Sequence, residues 1–164
     1  MGFKIGDPVM HWTYGFGRIV KLEERELSGK ATLYYAVKSR DLTVWVPADD
    51  NLDSRLRTPT SAAGFEKLFE ILTGSEEPLS EDRHERKTFL VEQLKDGRAE
   101  SLCRVIRDLF AFQKRKSLNE NDQHLMKRVQ NVLLGEWEFS LSIPSTQAAT
   151  DLHRMLDNGS TAGD

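Results

Sequence analysis

Phe3-Lys4-Ile5-Gly6-Asp7-Pro8-Val9 leads into Tyr14-Gly15-Phe16-Gly17-Arg18-Ile19, and the stretch closes at Asp41-Leu42-Thr43-Val44-Trp45-Val46-Pro47. Glycines stand where a small, strongly bent antiparallel sheet must turn, and β-branched and aromatic residues fill the intervals between them. Val9 to Trp12 reads as a first strand, Tyr14-Gly15-Phe16-Gly17 as a tight bend, and Arg18 to Leu27 as a longer strand. In that strand Ile19, Leu22 and Leu27 are expected to face inward, and Lys21, Glu23 and Arg25 outward. Ser28-Gly29-Lys30 fits a hairpin turn into a strand from Thr32 to Val37. Ser39-Arg40-Asp41 turns the chain again into Leu42–Val46, which Pro47 ends. A short fifth strand around Arg55-Leu56-Arg57 would close the sheet.

Beyond Pro59 the period becomes helical. Thr60 and Ser61 supply capping residues, and Phe65, Leu68, Phe69 and Leu72 recur on one helical face before Gly74. Phe89, Leu90 and Leu94 mark a second helix, with Phe89 expected in the core. Leu102, Val105, Ile106 and Leu109 form the stripe of a third. Ser117-Leu118-Asn119-Glu120 fits a capping box for a fourth helix carrying Leu125, Val129, Val132 and Leu133 inward. Pro144-Ser145-Thr146 opens a last helix, expected to end near Leu156. The fold class is therefore α+β: a small Tudor/SH3-like antiparallel β module followed by a compact all-α helical domain. The expected division is residues 1–59, residues 60–157, and a frayed tail over 158–164.

Of the 164 residues, 38% are hydrophobic and 30% charged, an ordinary balance for a globular chain. The net charge of −3 argues against a strong nucleic-acid binder until its distribution is examined. Residues 80–130 carry 12 basic and 9 acidic side chains, so any DNA contact should come from that locally basic segment and be sensitive to salt. Arg83, Arg86 and Lys87 open a helix there, and Lys127 and Arg128 lie on a later one; these five are the candidate DNA-binding residues. No apolar run approaches the roughly 20 residues of a membrane span, no secretory leader is visible, and a cytoplasmic protein is expected.

Catalytic chemistry is not visible. The lone Cys103 permits no internal disulfide or cysteine cage, and His11, His84, His124 and His153 share no ligand spacing. The glycines around Phe16 open a strand and lack a phosphate-binding pattern. Pairs such as Glu23-Glu24, Glu76-Glu77 and Asp49-Asp50 lie in polar segments where nothing would tune one as acid and the other as base. No enzyme, cofactor, metal or small-molecule substrate is expected. What rises above background is the aromatic load of the first third: Trp12, Tyr14, Phe16, Tyr34, Tyr35 and Trp45 exceed what one face of so small a sheet can bury.

Taken together these residues resemble the CarD/CdnL/TRCF family of bacterial transcription regulators. Phe3–Val9, Gly15, Asp41-Leu42-Thr43-Val44 with Val46-Pro47, and Val105-Ile106-Arg107-Asp108-Leu109 carry the resemblance, supported by Leu133-Leu134-Gly135-Glu136. It implies that the first module binds the β subunit of bacterial RNA polymerase. It implies also that the helical domain contacts promoter DNA without strong sequence preference, altering the stability of the open complex. Arg25 matches a family arginine that contacts polymerase, and Trp45, Val46 and Pro47 complete that candidate site. Two positions depart from the family pattern. Trp45 stands where a second arginine is common, and no tryptophan follows Glu76-Glu77-Pro78, where the family carries one as a wedge in the minor groove. A protein-interaction adaptor that binds polymerase or another partner without touching DNA is the alternative reading.

Overall fold

Strand register organises the β unit. The computed structural model describes residues 2–161, without the side chains of Leu27, Ser160 and Thr161. Five antiparallel strands, β1 (Pro8–His11), β2 (Gly15–Leu27), β3 (Lys30–Ser39), β4 (Leu42–Pro47) and β5 (Leu56–Arg57), lie in the order β4-β3-β2-β1-β5. Ser28 and Gly29 form the two-residue β2–β3 turn with φ of 55° and 78°, the positive pair that matches strand twist. Ile19 pairs with Val37 and Lys21 with Ala36, so Val20 is an extra residue, a β-bulge. The bulge puts Ile19 and Leu22 on the same face and leaves Lys21, Glu23 and Arg25 on the other, as the expected facing requires. Leu22 nevertheless remains partly exposed, because it lies beyond the core of Val9, Ile19, Tyr35, Val37, Val46 and Leu56.

Gly15-Phe16-Gly17 departs from the expected bend: these residues pair with His11, Met10 and Val9 as strand. Gly17 is there for space, since a Cβ would meet the Val37 Cγ1 at 2.7 Å and the Lys38 carbonyl oxygen at 2.9 Å. Between β4 and β5 the chain makes a short helix, α1 (Leu52–Arg55), which periodicity does not reveal in so few residues.

The chain divides into two compact units between Pro59 and Thr60. The second holds α2 (Phe65–Thr73), α3 (Arg83–Leu94), α4 (Ala99–Arg115), α5 (Glu120–Leu141) and α6 (Ser145–Thr161). Helix α4 is its axis, with α2, α3, α5 and α6 packed on it through a stripe that includes Leu102, Val105, Ile106, Leu109 and Phe112. The capping box sits two residues later than expected: Asn119 accepts from the Asp122 N–H at 2.8 Å, and Asp122 accepts from the Asn119 N–H at 3.3 Å. Helix α6 also outruns its expected end near Leu156, and Gly159 packs so closely on the Thr73 carbonyl that a Cβ would come within 2.9 Å of the oxygen. Residues 162–164 of the expected tail lie outside the described residues.

Candidate functional site

Alternation along the strands decides which residues of the β unit can meet a partner. The face away from the core carries Lys21, Glu23 and Arg25 from β2, Tyr34 and the covered Ala36 from β3, and Trp45 and Pro47 from β4. There the Arg25 guanidinium lies over the Trp45 ring, 4.1 Å from its centroid, with a further contact of 3.7 Å to Glu23. Stacking fixes the plane of the guanidinium and leaves its N–H edge able to donate to a partner. Three of the four expected contact residues, Arg25, Trp45 and Pro47, thus share one face. Val46 does not: paired with Tyr35, it points into the core at 2% exposure and supports the site from behind.

Two other aromatics of this unit, Trp12 and Tyr14, are about half exposed at the β1–β2 turn. The turn is held by His11, whose Nδ1 accepts the N–H groups of Thr13 and Tyr14 at 3.0 and 3.1 Å. Burial, and secondly the nearby Arg55 charge, lower the His11 pKa and keep the ring neutral, the form in which Nδ1 can accept.

In the helical unit, Asp82 caps α3 by accepting from the N–H groups of His84 and Glu85, both at 2.9 Å, and these bonds hold its carboxyl below the ordinary range. Arg83 and Lys87, one turn apart, are exposed on that helix. Arg86 corrects the sequence expectation. It is 3% exposed, its guanidinium pairs with Asp122 at 2.7 Å, donates to the Ser80 and Glu81 carbonyls, and lies 4.6 Å from the Phe112 centroid. A charge so fully engaged is a strut between α3, α4 and α5 and has no reach to a phosphate. On α5, Lys127 is exposed and Arg128 half-buried, on the side turned away from Asp122 and the core.

The aromatic positions are also revised. Phe89, expected in the core, is 44% exposed, because Arg86 and Leu90 take the inward positions of α3. Trp137, by contrast, is wholly buried against Phe65 and Phe69. Sequence reasoning missed the Arg86–Asp122 pair, whose partners stand 36 positions apart and give no local signal of it. It also missed Asp108, buried on α4, which accepts from the Glu77 N–H at 3.0 Å and from Arg107 Nε at 2.9 Å. Burial raises the Asp108 pKa against the pull of those donors, and the carboxylate serves to pin the loop before α3. Cys103 is buried and in no disulfide. Among the described residues no cluster of His, Cys, Asp or Glu could hold a metal ion, and no helix is long and apolar enough to cross a membrane.

This division of the molecule coincides with two recognised domains. Residues 3–59 match the CarD-like/TRCF RID domain, and residues 67–153 match the CarD C-terminal domain. The chain belongs to the CarD-like family of transcription regulators. It is also 25% identical over 147 residues to a Bacillus subtilis (strain 168) protein named "Putative transcription factor YdeB", covering 88% of this chain and 96% of that one. The N-terminal CarD-like class is one that interacts with RNA polymerase. Within the CarD-like frame Val105–Leu109 gains a physical meaning: its apolar residues build the axis helix, and Asp108 anchors the loop that launches α3.

Proposed function

We propose that the β unit docks on the β subunit of RNA polymerase through Arg25, Trp45 and Pro47. The helical unit then lays Arg83, Lys87, Lys127 and Arg128 against promoter DNA without reading its sequence. The observation that carries the docking half is the Arg25 guanidinium stacked 4.1 Å over Trp45 on an exposed sheet face. Arginine and aromatic side chains are the residues that most often dominate protein interfaces, and here they are assembled in advance. Replacement of the family's second arginine by Trp45 turns a charged contact into one that orients its neighbour. The DNA half rests on the exposed Arg83, Lys87 and Lys127 and the half-buried Arg128, with Arg86 no longer among the candidates.

Such a protein works by differential binding. If it contacts the open promoter complex better than the closed one, it shifts the equilibrium by the ratio of the two affinities, with no bond made or broken. The alternative, an adaptor that grips polymerase and ignores DNA, gains from the burial of Arg86, which removes the central cation of the α3 run.

Titration of the full chain against the isolated polymerase β subunit tests the docking half. Saturable binding lost in Arg25→Glu supports it, and absence of binding rejects it. Retardation of duplex DNA at low salt tests the other half. The double substitution Arg83→Gln/Lys87→Gln should weaken it and flatten its salt dependence by about two counterions. No retardation by the unaltered chain would leave the adaptor.

A further inference from the structure

The core covers only part of the β2–β3 hairpin face that lies opposite Arg25 and Trp45. Tyr35 is the last core residue on that side, and Phe3 closes over it, donating its N–H to the Tyr35 hydroxyl at 3.2 Å. Leu22 stands opposite Tyr35, and Leu33 lies two residues away on β3 on the same side. These diagonal neighbours are 38% and 41% exposed. Strand β4 leaves β3 at the Tyr34–Pro47 pair, with one more bond from the Ala48 N–H to the Leu33 carbonyl at 2.8 Å. Past that point residues 25–27 and 30–32 pair as a two-stranded ribbon, an arrangement that is marginal by itself in water. Glu24, opposite Leu33, and Glu26, opposite Ala31, are exposed on the same side as the two leucines. The cations of the ribbon, Lys21, Arg25 and Lys30, fall on the other side. The open face is therefore apolar and acidic.

We infer that this face is a second docking surface, and that its occupant is a helix of a partner protein carrying lysine or arginine beside leucine-class side chains. Charge complementarity selects that occupant. Nucleic acid and an anionic membrane surface are repelled by the two carboxylates. A neutral apolar partner would bury Glu24 and Glu26 unpaired, a cost that a cationic one avoids. The spacing also suits a helix. Two residues along a strand separate Glu24 from Glu26 by about 7 Å, close to the about 6 Å between side chains one turn apart on a helix. One pair of helical cations can thus meet both acids while the apolar stripe of the same helix covers Leu22 and Leu33. The surface lies on the side of the sheet opposite the Arg25–Trp45 stack, so the inference stands without the polymerase-docking reading. Where that reading holds, the β unit becomes a bridge with polymerase on one face and a basic protein on the other.

The probe is a fluorescent helical peptide of about 15 residues built from lysine, leucine and alanine, with lysines one turn apart flanking a leucine stripe. Its anisotropy is titrated with the full chain at about 0.05 M and about 0.5 M salt. Glu24→Lys/Glu26→Lys should weaken binding about tenfold at low salt. Leu22→Ser/Leu33→Ser should weaken it about fivefold at both salts, since apolar contact is not screened. Glu66→Lys/Glu70→Lys, at exposed positions of α2, makes the same change in net charge and should stay within about twofold. Arg25→Glu should also stay within about twofold, which separates this face from the polymerase-docking reading. The surface is wrong if the unaltered chain does not bind, if the α2 variant loses as much as Glu24→Lys/Glu26→Lys, or if the leucine variant binds normally while folded by circular dichroism. Self-association of the unaltered chain in sedimentation at low salt, lost in Glu24→Lys/Glu26→Lys, would make a second copy the occupant and overturn the assignment to a separate partner.

Discussion

Arg25 and Arg86 make nearly the same local contact, a guanidinium over an aromatic ring, at 4.1 Å from Trp45 and 4.6 Å from Phe112. Their roles are opposite. Arg25 stands on an open sheet face beside a single half-exposed carboxylate, whereas Arg86 is enclosed by Asp122, two backbone carbonyls and the ring. Exposure decides which is which. A stacked arginine in water keeps most of its donors for a visitor, and a buried one must spend them on its surroundings or destabilise the fold.

The sharpest way to break this contrast is to remove one partner of the buried pair. Asp122→Ala should destabilise the helical unit by about 3–5 kcal/mol in urea unfolding, since it strands a buried guanidinium and deletes half of a capping box. The double change Arg86→Met/Asp122→Leu should recover a large part of that loss; no recovery would mean that the charges themselves are needed. Gly17→Ala comes next, costing about 1–3 kcal/mol in the β unit through overlap with Val37 and the Lys38 carbonyl.

Acidification should have a smaller effect. His11 is held neutral in the native state, with its pKa below the ordinary 6.5. Between that lowered value and 6.5 the unfolded chain binds more protons, so stability is full above 6.5 and falls as pH drops through the window. Thermal melts of His11→Gln should lose this pH dependence. The smallest effect on stability belongs to Arg25→Ala, about 0.5–1 kcal/mol or less, although the same change should cost most of the polymerase affinity. A large loss of stability there would erase the distinction between the two arginines.

How far the sequence could be read follows the same line. The β unit was legible because its turns depend on Gly and Pro and its strands on alternation, which are local signals. The helices were legible by their stripes. Phe89 and Arg86 were misassigned because residue type argues for a buried Phe and an exposed Arg, while the partner that inverts the order, Asp122, lies 36 residues away. Val46 was grouped with Trp45 and Pro47 through adjacency, although neighbours along a strand face opposite ways.

The join between the units has a consequence for affinity. Strand β5 ends at Arg57, and Thr60 is already tied to the helical unit through its N–H, which donates to Glu136 at 2.8 Å. Only Thr58 and Pro59 lie between. A tether this short holds the second unit near whatever the first has bound, at an effective concentration on the order of millimolar where geometry allows both to engage. The helical unit could then act on DNA with an intrinsic affinity too weak to detect by itself, and its site of action would be chosen by where the polymerase stands.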